Sequence, residues 1–330
     1  MNFIKSKFLK KHFSTYFSLG VMLLLVLVFT GMETRFLNPA NINNLLSDTA
    51  PLMIMAAGMT PVLLLGSIDL SVGAMCSAAN VLVLQLLLIL TADGAVSGGV
   101  ALFVASVITV VFSVFSGTLL GLIHVKTKIP SFIASLAFMS VWSSAALLIS
   151  NASIALPFAL WGTIGWYNVT IGPFGLPLLI VFALIAAYYI VLTRTPFGRG
   201  VYAIGGNERA ARLSGISVDR IKITVFAVNG FTTALGAIML MAHGRSAAPT
   251  AGTEFTLMVI SAVVLGGTSL SGGSGNILNT IVGVFIVSII RNGMNIVGVD
   301  VFWQSVAYGA IILMAIAINT DRSSRNFAVK

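Results

Sequence analysis

Charge is scarce in this 330-residue sequence: only 8% of its residues are Asp, Glu, Lys or Arg, and only nine are acidic. A soluble domain carries roughly 25% charged residues. The supply here could not cover a water-facing surface, which excludes a cytosolic enzyme. Cysteine is scarcer still. The single Cys76 sits in an apolar stretch and excludes both a disulfide framework and a cysteine metal cluster. His12, His124 and His243 are dispersed and form no ligand set. Also missing are the Gly-Lys-Ser/Thr ending of a Walker A loop, a G-x-S-x-G elbow and an H-E-x-x-H pair. The chain is therefore expected to be no enzyme, with no catalytic residues, no metal and no cofactor of its own.

What is abundant is apolar: 58% of residues are hydrophobic and the mean hydropathy is +1.03. The solvent for most of the chain must be a lipid bilayer. A net charge of +9 could suggest nucleic acid, but membrane proteins collect Lys and Arg on their cytoplasmic side for another reason, and no nucleic-acid partner is expected. The expected fold class is all-α: a polytopic membrane protein of about ten transmembrane helices, two of them broken. Apolar runs place them near 17–32, 49–66, 71–91, 98–123, 131–150, 177–193, 223–242, 255–270, 276–295 and 304–319. Pro51, Gly58 and Pro61 interrupt the second, and Gly266-Gly267 interrupts the eighth. The first run lacks a small-residue cleavage site and reads as a retained helix. With both termini cytoplasmic, 15 of the 18 basic residues fall on the inner side, as the positive-inside rule asks. This divides the chain into a basic N-terminus (1–16), one transmembrane domain (17–319) and a C-terminal tail (320–330).

The inner loop at about 194–222 is far longer than the usual 4–6 residues. Arg199, Tyr202, Arg209 and Arg212 lie in it, and Gly205-Gly206 is expected to break the chain. Asn207 is a good N-cap, Glu208 suits the positive start of a helix, and Gly215 can take the left-handed turn after its end. About two turns of helix result, too short to be stable alone. Either it is a lever seated in a cytoplasmic partner, or it is a basic loop lying on headgroups.

Two polar elements interrupt the apolar background. In Gly66-Ser-Ile-Asp-Leu-Ser-Val-Gly73 the carboxylate of Asp69 lies between two spans, beside Ser71. Intramembrane carboxylates usually face a cavity or a partner, though Asp69 could equally cap the third helix. The second element is Val264 to Gly275, with Gly266, Gly267, Thr268, Ser269 and Ser271; glycine at this density suits close approach or non-helical backbone. The two share five of nine positions, Leu65-Gly66…Leu70-Ser71-x-Gly73 against Leu265-Gly266…Leu270-Ser271-x-Gly273, which is either chance or a parallel repeat around one pathway. Late in the ninth span, Arg291 and Asn292 contact substrate or snorkel outward. The four tryptophans fit interfacial belts.

These motifs, with Lys128-Ile-Pro-Ser-Phe-Ile-Ala-Ser-Leu136, Thr195-Pro-Phe-Gly-Arg199, Tyr202-Ala-Ile-Gly-Gly-Asn-Glu208, Ala210-Ala-Arg-Leu-Ser-Gly-Ile216 and Asn292-Gly-Met-Asn-Ile-Val-Gly298, resemble the permease subunits of bacterial ribose/xylose/arabinose-type sugar ABC importers. That group lies within the larger family of branched-chain amino-acid permeases. The resemblance implies a translocation pathway for a monosaccharide in the bacterial inner membrane. Its partners would be a second permease subunit, usually a copy of the same chain, a periplasmic binding protein, and a cytoplasmic ATPase that carries the ATP and magnesium. It also implies that the loop around Gly205 to Gly215 couples to that ATPase. One departure stands out: family members often carry acids before the glycine-rich segment, where this chain reads Thr256-Leu-Met-Val-Ile-Ser-Ala262. The competing reading is an ion-coupled carrier or channel using Asp69.

Overall fold

The computed structural model describes residues 18–172, 174–300, 302–307, 309, 310 and 313. The basic N-terminus, the C-terminal tail and much of the tenth span lie outside these. Among the described residues, seven helices are long and apolar enough to cross a membrane. They are α2 (Pro39–Leu64), α3 (Val72–Thr91), α4 (Gly98–Thr127), α5 (Ser131–Ile149), α6 (Leu176–Arg194), α9 (Val218–Gly244) and α11 (Ile277–Val297). Two shorter apolar helices join them, α1 (Ser18–Met32) and α10 (Phe255–Leu265). Helices α7 (Pro196–Gly206) and α8 (Glu208–Leu213) make up the long loop, and residues 302–307 are helical. The only strands described are two-residue pairs, β1 (Ile154–Ala155) with β4 (Ser246–Ala247) and β2 (Thr170–Ile171) with β3 (Phe174–Gly175).

Burial does not follow apolarity. In its span window α2, the least apolar of the seven, is 83% buried, whereas α5 is 17% and α4 28% buried. Phe103, Val111, Phe115 and Leu148 point outward, an arrangement that only a hydrocarbon solvent stabilises. The centre instead collects Thr49, Thr60, Asn80, Asn229 and Thr233.

The second span departs from expectation. It begins ten residues earlier than the apolar run suggests, and α2 passes through both Pro51 and Pro61 without a break. A proline leaves the carbonyl four residues earlier without its donor. For Pro51 that carbonyl belongs to Ser47, and it accepts from the Tyr167 hydroxyl at 2.9 Å. Gly58 is not a break either: a Cβ there would overlap Thr232 of α9, so it sets the α2–α9 spacing. The α4–α9 crossing is as tight, since side chains at Gly117 or Gly121 would strike the Phe226 and Ile223 backbone. Small residues four apart are the usual device for such contacts in lipid. Trp142 also departs from the interfacial expectation, lying mid-helix in α5 with its ring 5.0 Å from Phe112.

Candidate functional site

The α7–α8 segment is built from local rules. Thr195 caps α7, accepting from Gly198 N–H. Asn207 caps α8 through Oδ1, which accepts from Ala210 N–H at 2.9 Å. Helix α8 ends on Gly215 at φ +80, where Gly215 and Ile216 donate back to Arg212 and Ala211 in a Schellman-type turn. Residues 196–206 are helical, so Arg199 and Tyr202 ride on α7, and the chain breaks where expected, with Gly205-Gly206 ending that helix before Asn207.

Helix α8 is stapled to the first turns of α9. Lys222 Nζ meets Glu208 Oε2 at 2.7 Å, and Arg212 meets Asp219 Oδ1 at 2.8 Å and Glu208 Oε1 at 3.5 Å. Burial alone would raise the Glu208 carboxyl, but the hydrogen bond and charge of Lys222, joined by Arg212, hold it below the usual carboxylate range. Arg212 is thus used internally. Arg209 has no acidic partner among the described residues, and four positions on, one turn away, Leu213 is 82% exposed. Sequence reasoning passed over Leu213. Its signal is an apolar residue at i+4 from an arginine on an otherwise polar face.

At its other end the segment meets the loops that follow α2 and α10 backbone to backbone. A Cβ on Gly205 would overlap the Leu64 carbonyl. That same carbonyl accepts from Gly273 N–H at 2.9 Å. Tyr202 donates its hydroxyl to the Gly275 carbonyl at 3.0 Å. Gly66, Gly205, Gly206, Gly272 and Gly273 therefore form one junction joining α2, α7 and the loop between α10 and α11.

The two loops that meet there are built alike. Helix α2 ends with Gly66 at φ +71 and Ser67 N–H bonded to Val62 O. Helix α10 ends with Gly267 at φ +85 and Thr268 N–H bonded to Val263 O. The geometric match pairs Gly66 with Gly267, whereas the sequence match pairs it with Gly266, a one-residue difference in register. Gly266 serves packing instead, since its Cβ would press on Asn279 O at 2.6 Å. Ser269 N–H bonds Ser274 O and Ser269 Oγ accepts from Ser271 N–H, closing the loop on itself. Thr268 is fully buried.

Asp69 does not cap α3. Ser71 is the N-cap, with no side-chain cap bond, and Asp69 stands two residues earlier. Its Oδ1 accepts from Ser71 N–H at 2.9 Å and Ser71 Oγ at 2.6 Å, and its Oδ2 accepts from Asn229 Nδ2 of α9 at 2.9 Å. The loop's remaining donors are met by α5: Ile68 N–H and Leu70 N–H bond Ser131 Oγ and Ser135 Oγ, each at 3.0 Å. Asn229 was not singled out from sequence, and Ser131 and Ser135 stood there only within the Lys128 to Leu136 motif; two serines at i, i+4 opening an apolar helix were the available sign.

The remaining candidates lie elsewhere. Gly73 N–H bonds Thr256 Oγ1 at 3.0 Å, tying α3 to the start of α10. The threonine standing where relatives often carry acids thus holds a neighbouring helix. Asn292 lies about 22 Å along α11 from Ile277, where it and Asn41 exchange two amide hydrogen bonds of 2.9 Å. It is not part of the junction. Arg291 beside it lines a narrow recess with Asp48 and Asn295.

Such an arrangement fits a membrane transport component: a buried polar centre, apolar outer walls and a capped helical segment, α7–α8, at one end. Residues 41–316 match the family model described as branched-chain amino acid transport system / permease component, and the chain belongs to that family. Among curated relatives, the ribose import permease protein RbsC of Bacillus subtilis is 38% identical over 307 residues, covering 92% of each chain. RbsC of Escherichia coli K12 is 34% identical, covering 92% of this chain and 93% of that one. The E. coli K12 xylose transport system permease protein XylH is 30% identical, covering 93% and 92%. No solved structure matches.

Proposed function

We propose that this chain is the permease subunit of an ATP-driven importer and forms the translocation pathway for a monosaccharide of the pentose class. The carrying observation is the glycine junction, in which the α7–α8 segment touches the loops after α2 and α10 without intervening side chains. The ribose and xylose permeases similar over nearly the full chain support the cargo class.

In this reading the α7–α8 end faces the cytoplasm, as do residues 1–16 and 320–330. Residues 17–319 form one domain of about ten spans in the bacterial inner membrane, with α10 as the short, interrupted one. Two such chains pair, a periplasmic binding protein delivers the sugar, and ATP and magnesium sit on a separate ATPase. Closure of the ATPases pushes on Arg209 and Leu213. The ion pairs to α9 make α8 stiff, so the push passes along α7 to Gly205. There it displaces Leu64 and Gly273, and with them the loops carrying Asp69 and Thr268. An ion-coupled carrier is not favoured, because both oxygens of Asp69 are engaged by Ser71 and Asn229. The test is reconstitution with the ATPase and binding protein and measurement of labelled ribose and xylose uptake. Uptake that needs both partners and ATP is expected; uptake driven by an ion gradient without them would overturn the reading.

A further inference from the structure

Two helices present matching stripes toward the α7–α8 end. Along α6, Ala187, Val191 and Arg194 recur at i, i+4 and i+7 and share one face. Along α9, running the other way, Val228, Thr224 and Arg220 recur every four residues and also share a face. Both helices pack on α2, and between them lies a cavity of about 210 Å³. Pro61 of α2, Phe197 of α7, Leu184 and Val225 help line it, and its wall exposes carbon alone. Phe197 also borders a wider recess of about 420 Å³ that contains Arg220. Arg194, Arg199 and Arg220 are exposed and pair with no carboxylate among the described residues, although Arg212 and Lys222 close by are both paired.

We propose that this groove is a binding site for an anionic phospholipid, with an acyl chain in the cavity and the phosphate between Arg194 and Arg220. Water gains nothing in a cavity that offers it no hydrogen-bond partner, whereas the bilayer supplies hydrocarbon at the same depth. Guanidinium groups match a phosphate, and anionic headgroups are drawn to basic residues at the membrane surface. The cavity touches Pro61, three residues before Leu64, and Phe197 at the start of α7. A bound lipid therefore braces both partners of the glycine junction. The inference rests on the reading that this end faces the cytoplasm, but its test does not require transport.

Native mass spectrometry of the permease–ATPase complex, purified from vesicles of phosphatidylcholine with phosphatidylglycerol, reads the lipid retained. Preferential retention of phosphatidylglycerol is expected. Each arginine removed, by Arg194→Gln or Arg220→Gln, should lower retention roughly fivefold, and Ala187→Trp, which fills the cavity, should abolish it. The arginine variants alter exposed positions and keep the test sound should the tryptophan variant misfold. Equal retention of the two lipids, or unchanged retention in the double arginine variant, would overturn the proposal. So would retention by the isolated permease that is lost once the ATPase binds, since the arginines would then belong to the protein partner.

Discussion

At the α7–α8 end the elements meet backbone to backbone, through glycines that leave no room for a side chain. At the opposite end side-chain contacts add to the short β1–β4 and β2–β3 pairings: Asn41 with Asn292, Asp48 with His243 at 2.6 Å, and Arg245 stacked 4.2 Å from the Trp161 ring. Backbone contact has little slack, so displacement on one side must appear on the other. Side-chain pairs can exchange one partner for another at small cost, and hydroxyl groups of a sugar are competent replacements. In the proposed reading this difference puts force transmission at one end and opening at the other.

The comparison breaks most visibly if the buried polar loop is not needed to hold the transmitting end together. Asp69→Ala strands the Ser71 and Asn229 donors in the interior, at about 1–3 kcal/mol for each group left unsatisfied. Its thermal unfolding in detergent should fall by several degrees; an unchanged transition would remove Asp69 from the fold. On the lever, Leu213→Asp should cut sugar uptake about tenfold, equivalent to roughly 1.4 kcal/mol, while leaving the melting temperature of the permease alone unchanged, because Leu213 touches solvent.

At the opposite end the effects should be smaller. Asn292→Ala removes one amide pair between membrane helices, worth about 0.6 kcal/mol on average, and should lower thermal stability only slightly. A loss as large as that of Asp69→Ala would erase the distinction between the ends. The smallest effect concerns Glu208. Its carboxyl titrates lower in the folded chain than when unfolded, so its contribution is present above the ordinary carboxylate pKa and fades as pH falls through the folded value. Glu208→Gln should lower stability a little at neutral pH and flatten the acid limb of the stability curve; an unaltered acid limb would show that the staple contributes nothing.

The membrane class and the short capped helix α8 were legible, because scarce charge reflects the solvent directly and capping residues act over a few positions. Asn207 and Gly215 could be read because their bonds are local. What stayed hidden depends on distant neighbours. The passage of α2 through Pro51 rests on Tyr167, 120 positions from the Ser47 carbonyl it holds, and no periodicity announces such a rescue. The tie between Asp69 and Asn229 spans 160 positions. Asn292 and the glycines at 266–275 looked alike as polar breaks, and only the packing separates a helix-to-helix clasp from a junction.

Gly205 and Gly206 are adjacent and chemically identical, yet a Cβ meets the Leu64 carbonyl at the first and open space at the second. The most direct test is therefore the ratio of sugar imported to ATP hydrolysed in the reconstituted complex, for Gly205→Ala against Gly206→Ala. The account predicts a roughly tenfold lower ratio for the first, a coupling change on the order of 1–2 kcal/mol, and a ratio near wild type for the second. Equal ratios in the two variants would contradict a backbone-borne transmission through the junction.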